Sequence, residues 1–176
     1  MFDRLFDFLA RFGGEALPAF VVPVYQNAAV LRFGKYHRTV TPGFHWKIPF
    51  VDEVYKENVF LTTVRLQPQT LTTKDGASVV VAGVVKYQVV DVQPYLSRIG
   101  DQHDLLIDTA MGAILRAVRD VDYEALLSDP PELKIASAIR RAVKPFGVDI
   151  EAFTFTDLGR VRTIRLMTHT PLILDN

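Results

Sequence analysis

The sequence predicts an α+β fold: an antiparallel or mixed β-sheet with helices packed on it, preceded by an N-terminal amphipathic helix. Three observations lead there. Strand-type runs cluster between residues 19 and 91. After Asp91 the apolar spacing changes from two to three and four, the helical period. Residues 2–12 divide into an apolar arc and a charged arc when placed at about 100° per residue. Strands grouped ahead of helices argue for segregated α+β architecture rather than a doubly wound parallel sheet.

The totals narrow the functional classes. With 176 residues the chain is one compact unit or two small subdomains sharing a core. Its 20 basic and 20 acidic side chains cancel, which argues against a globally steered nucleic-acid binder, since those carry a basic excess. Cysteine is absent, so disulfides, thiolate catalysis and cysteine–zinc sites are excluded. The longest apolar candidate, Ala16 to Tyr25, holds Pro18 and Pro23 and falls short of the roughly 20 residues a spanning helix needs. Asp3 and Asp7 stand where a signal peptide would carry positive charge.

The elements follow in order. Phe2, Leu5, Phe6, Phe8, Leu9 and Phe12 share one arc of the first helix, opposite Asp3, Arg4, Asp7 and Arg11, and Gly13–Gly14 ends it. "AFVVPVY" and "AAVLRF" read as strands around a Gln26–Asn27 turn, with Pro23 making the first an edge or bulged strand. "FGKYHRTVTPGFHWKIPF" reads as a turn-rich connection. "VDEVYKENVF" and "LTTVRLQPQTLTT" read as strands, the second bent at Pro68, and Lys74-Asp75-Gly76 as a hairpin turn into the long strand "ASVVVAGVVKYQVVD". A brief helix over 92–98 follows. A longer one is capped by Asp101 and buries Ile107, Ala110, Met111, Ile114, Leu115 and Val118. Tyr123 to Leu127 is expected to form a helical turn. Asp129-Pro130-Pro131-Glu132 reads as a helix start, with Asp129 as cap and the prolines in the first turn. That helix buries Ile135, Ile139, Ala142 and Val143 and stops at Pro145 and Gly147, before the final strand "VDIEAFTFTDL".

Four of these segments, in this order, resemble a known family. "VLRFGKYHRTVTPGFHWKIPFVDEV" is similar to the opening of the SPFH or Band 7 domain of stomatin, prohibitin, flotillin and HflK/C. "LTTKDGASVVVAGVVKYQVVD" resembles its next hallmark, a TKDG turn and a valine-rich strand. "AMGAILRAVRDVDYEALLSDPPEL" and "FGVDIEAFTFTDL" continue the match, which runs from about Val22 to Leu158. The chain looks like a short form, without a spanning segment before the domain and without the C-terminal coiled coil. The expected organisation is a membrane-surface anchor over 1–18, a β-rich first SPFH subdomain over 19–90, a second subdomain of helices and a final strand over 91–160, and a tail over 161–176.

The resemblance implies a membrane scaffold with no chemistry of its own, and the residues agree. His37, His45, His103 and His169 are scattered, and His103 and Asp108 are five apart, off one helical face. No phosphate-binding glycine loop or nucleophile elbow occurs. No enzyme activity, metal or cofactor is therefore expected. Phe2, Leu5, Phe6, Phe8, Leu9 and Phe12 form a candidate lipid-facing surface, since a Phe/Leu face can lie in a bilayer interface. Packing on the protein's own strands or on a neighbouring subunit is the other use of such a helix. Phe44, Trp46, Ile48 and Phe50 alternate and are expected on one strand face, a second membrane contact or else a core strand. Arg32, Lys35, Arg38 and Lys47 form a weak headgroup patch beside them, or a solvated face.

The expected function is a non-enzymatic peripheral membrane scaffold, on the cytoplasmic face, that binds membrane lipid and self-associates as a homo-oligomer. It would organise membrane proteins or modulate a membrane protease, and would bind no nucleic acid. The alternatives are a structural subunit of a virion or protein shell, using the first helix for packing, and a hydrolase at the membrane.

Overall fold

A computed structural model describes residues 17–98 and 102–161. The expected first helix, the Asp101 cap and the tail beyond 161 lie outside the described residues.

The described chain is α+β, in two layers. The first is built from β1 (Ala19–Val22), β2 (Gln26–Arg32), β3 (Lys35–Val40), β4 (Gly43–Trp46) and β5 (Asp52–Asn58). β3, β2 and β5 form an antiparallel three-stranded sheet in that order, while β1 and β4 pair as a separate antiparallel ribbon. This corrects two expectations. The turn after β1 sits at Val24–Tyr25, two residues before Gln26–Asn27, and β1 turns away from β2 to meet β4. The segment read as connection contains two strands. The signal was its "FG" pair: Phe33 and Gly34 both adopt positive φ, 51° and 73°, the geometry that closes a two-residue hairpin between right-twisted strands.

The second layer is β6 (Thr62–Arg65), β7 (Gln69–Thr72), β8 (Ser78–Val89) and β9 (Val148–Arg160), covered by α1 (Val92–Arg98), α2 (Gln102–Arg119), α3 (Tyr123–Ser128) and α4 (Glu132–Val143). β8 is the spine. β6 and β7, broken apart by Leu66–Pro68, pair in succession with one of its edges, and β9 runs antiparallel along the other. Val79, Val81, Val85 and Val89 fall on one face of β8 by the two-residue period. They are buried against Ile114, Ile135, Ile139 and Phe153 in the principal core. Gly83 lies beside a register shift in the β8–β9 ladder, and a Cβ there would come within 2.6 Å of the Phe153 ring, which explains the glycine.

The helix faces differ from expectation in detail. Leu106, Ala113 and Ala117 are buried on α2, whereas Leu115 is exposed. On α4, Ala136 is buried and Ala142 exposed. Asp129 does not cap α4. Its backbone N–H closes α3 on Ala125, and Pro131, just outside the helix, accepts from Ile135 N at 2.9 Å. Glu132 spends its carboxylate on the Phe155 N–H of β9 at 2.8 Å, and Arg140 donates to the Ile150 carbonyl. Two outward backbone groups of β9 are thereby satisfied by α4, which covers an otherwise open edge.

The expected TKDG turn is a hairpin between β7 and β8, and it does more than turn. The buried Thr73 hydroxyl donates to the Asp75 carboxylate at 2.5 Å and accepts from Ala77 N at 3.1 Å, Lys74 N donates to Val121 O at 2.9 Å, and Asp75 accepts from Tyr123 N at 3.3 Å. One turn thus tethers the start of α3 to the sheet, with a carboxylate at a helix N-terminus.

Candidate membrane-facing site

The first layer has a small core. Val22, Ala28, Val30 and Val40 are its buried residues, with Phe20 and Val54 packed beside them. Its large side chains lie elsewhere. In the β1–β4 ribbon Val21 stands opposite Phe44 and Ala19 opposite Trp46, so these four share one face. Phe44 and Trp46 stack edge to face at 5.3 Å, and Val21, Phe44 and Trp46 are all exposed, Trp46 at 65%. A plain core strand is therefore not what these aromatics form.

Ile48 and Phe50 do not continue that face, because β4 ends at Trp46. They occupy the loop into β5. Both are exposed, and Phe50, 78% exposed, has a φ of 63°. Phe33, 79% exposed, is the residue the sequence reading missed. Its N–H donates to Val51 O at 3.1 Å, which sets the β2–β3 turn beside the Phe50 loop. Two bulky residues in the left-handed region, both bared to solvent, are unusual, since that conformation costs an L-residue about 1–2 kcal/mol.

A half-buried ion pair supports this tip. Asp52 takes two hydrogen bonds from Arg32, 2.8 and 3.0 Å, and one from Ile48 N at 2.9 Å, while its own N–H returns to Ile48 O at 2.9 Å. The Arg32 guanidinium, with the Ile48 N–H, holds the Asp52 carboxyl down to about 2 despite its burial. Arg32 thus serves the loop and is engaged within the protein. Arg38 donates to Trp46 O at 2.7 Å, joining β3 to the ribbon. Lys35 is exposed at the β2–β3 turn, and Lys47 N donates to Pro18 O at 2.8 Å. Phe2, Leu5, Phe6, Phe8, Leu9 and Phe12 lie outside the described residues.

Among the described residues no group of three or more His, Asp or Glu could hold a metal ion, and no helix is long and apolar enough to cross a membrane.

A small antiparallel β-layer followed by a helix-covered antiparallel sheet is an α+β arrangement consistent with the SPFH fold. The chain belongs to the SPFH domain / Band 7 family, whose model matches residues 20–163. It is similar to an uncharacterized protein of Methanocaldococcus jannaschii, 26% identical over 133 residues, 74% of this chain and 67% of that protein. It is 33% identical over 150 residues to the HflK protein of Treponema pallidum, covering 74% of this chain and 44% of HflK. HflK of Vibrio cholerae is 33% identical over 103 residues, 58% of this chain and 26% of HflK. The chain thus spans less than half the length of these two HflK relatives. Proteins of the SPFH domain / Band 7 family are, as a family, membrane-associated and generally non-enzymatic scaffolds.

Proposed function

We propose that this protein is a non-enzymatic peripheral membrane scaffold that self-associates at the cytoplasmic face and organises membrane proteins or modulates a membrane protease. The observation that carries the membrane part is the aromatic tip: Phe33, Phe44, Trp46, Ile48 and Phe50 bared on a layer whose own core is small. Exposed apolar patches rimmed by polar groups mark surfaces that another phase or partner covers. A tryptophan is favoured at a membrane–water boundary. The N-terminal phenylalanines precede the same ribbon in the sequence, and on this reading both segments meet one bilayer. The HflK relatives support the protease and scaffold reading at the level of the family.

Flotation with phosphatidylcholine vesicles tests this. The wild-type chain is expected to float. Phe6→Asp with Phe12→Asp, and separately Trp46→Asp with Phe50→Asp, are expected to stay in the dense fractions while remaining folded by circular dichroism. A wild-type protein that remains dense and forms particles without lipid would overturn the membrane reading in favour of a shell subunit.

A further inference from the structure

A second surface lies away from the aromatic tip, on the second layer. Among the described residues β7 pairs with β8 on one side and with no strand on the other. Thr73 N donates to Ala77 O at 3.0 Å, so the hydrogen-bonded pairs of this ladder are Thr73–Ala77, Leu71–Val79 and Gln69–Val81. The alternate residues, Thr70 and Thr72, therefore turn their N–H and C=O groups outward. Leu71 points into the core, while Thr70 and Thr72 are exposed. Along this edge runs a groove of about 550 Å³, bounded by Thr70–Lys74 and by Leu115 and Arg119 of α2. It combines an unpaired strand edge, one exposed leucine and two cations. The nearby carboxylates are engaged elsewhere: Asp75 with Thr73 and Tyr123, Asp120 with Lys134.

We infer that the β7–α2 groove binds an extended acidic segment of a partner protein by strand addition. The partner strand would pair with the outward backbone groups of Thr70 and Thr72. By the two-residue alternation, one side-chain set would lie toward Leu115, favouring an apolar residue. The ends would carry carboxylates beside Lys74 and Arg119. Main-chain bonds supply affinity in such sites and side-chain contacts supply specificity. Charge separates this occupant from the chain's own edges. β3 carries Lys35, His37 and Arg38 and would set like charge against the groove. β5 is bridged to β1 by Lys56 donating to Val21 O at 2.8 Å. The inference does not depend on the membrane reading.

The probe is a fluorescein-labelled heptapeptide alternating valine and glutamate, with blocked ends, titrated into the full chain and followed by anisotropy. Saturable binding is expected, with slower amide exchange at Thr70 and Thr72. Lys74→Glu with Arg119→Glu should weaken it about tenfold or more and turn the preference toward a valine–lysine peptide. Thr72→Pro, which removes an outward N–H on an edge strand where proline is tolerated, should abolish it. The inference is overturned if the peptide fails to bind, if the valine–lysine peptide binds wild type equally well, or if Thr72→Pro, still folded, binds unchanged. It is also overturned, in favour of a second copy of this chain, if Thr70 and Thr72 amides are protected without peptide and more so at higher protein concentration.

Discussion

The two layers of this domain distribute their apolar residues in opposite ways. The helix-covered sheet buries valines of β8 against α2 and α4 in a continuous core. The first layer packs four small or medium residues in its own core and shows Phe33, Phe44, Phe50 and Trp46 to the outside. α1 lies against β2 and β3, and Ala29 of β2 belongs to the larger core, so the small layer is propped on the large one. The difference teaches that one layer is a foundation and the other a contact surface. Substitutions in the foundation, the helix-covered sheet, should cost stability, and substitutions at the tip of the small layer should cost contact.

The foundation is most easily broken at Gly147. Its φ is 78°, and a Cβ there would sit 2.1 Å from Asp91 O. Its carbonyl also accepts from Val90 N and Asp91 N at 2.8 and 3.1 Å, locking the end of β8 to the start of β9. Gly147→Ala combines a left-handed penalty with a backbone clash and is expected to cost about 3–5 kcal/mol. Urea denaturation measures it, and an unchanged midpoint would show that the junction yields without strain.

Asp52 comes next, because it couples the small layer to its own tip. Its carboxyl is held at about 2 in the folded protein against about 3.9 when unfolded. A lowered folded value means that its contribution is fully present above about pH 4 and is lost as pH falls toward 2. With Arg32 partly exposed, solvent screens the pair, and Asp52→Asn is expected to cost about 1–2 kcal/mol at neutral pH. The difference between wild type and variant should shrink between pH 4 and pH 2. A constant difference across that window would assign the cost to packing alone.

The foundation was largely legible in the sequence. The valine run of β8, the three-and-four spacing of α2 and the break at Pro68 are local signals that tertiary contacts reinforce. The tip was legible in composition but not in geometry. Phe44, Trp46, Ile48 and Phe50 alternate in the sequence, yet the strand stops at Trp46, because Asp52 folds the next residues into a loop held by a partner 20 residues away. Phe33 was missed for a related reason. A phenylalanine in a turn at positive φ contradicts local preference, and only the pairing of β2 with β3 and β5 imposes it. Asp129 misled in the same way: its type suits a cap, but the prolines displace the helix start to Glu132.

A smaller effect separates the TKDG turn from the core it rests on. Asp75 is exposed, and its carboxyl is held below the usual range first by the Thr73 hydroxyl and then by the Tyr123 N–H. Asp75→Asn should leave the global unfolding midpoint nearly unchanged and speed hydrogen exchange at Tyr123, the first residue of α3. In wild type the same exchange should accelerate as pH falls through the folded value of Asp75, once exchange chemistry is corrected for. Equal protection in both proteins would show that Lys74 and Val121 hold α3 unaided.

The smallest effect on stability is expected where the largest side chains are most exposed. At Phe33 and Phe50 glycine would relieve the left-handed penalty of about 1–2 kcal/mol but add about 0.5–1 kcal/mol of backbone entropy. Phe33→Gly and Phe50→Gly should therefore leave the protein equally stable or stabilise it by up to about 1.5 kcal/mol. Strain kept at an exposed aromatic, with no core contact to offset it, points to a use outside the fold. Each substitution should then reduce vesicle association about fivefold, the equivalent of about 1 kcal/mol of apolar contact withdrawn from lipid. If the glycine variants are instead destabilised, the two phenylalanines belong to the foundation after all. If they are stable and float as wild type does, the tip is bare for some partner other than lipid.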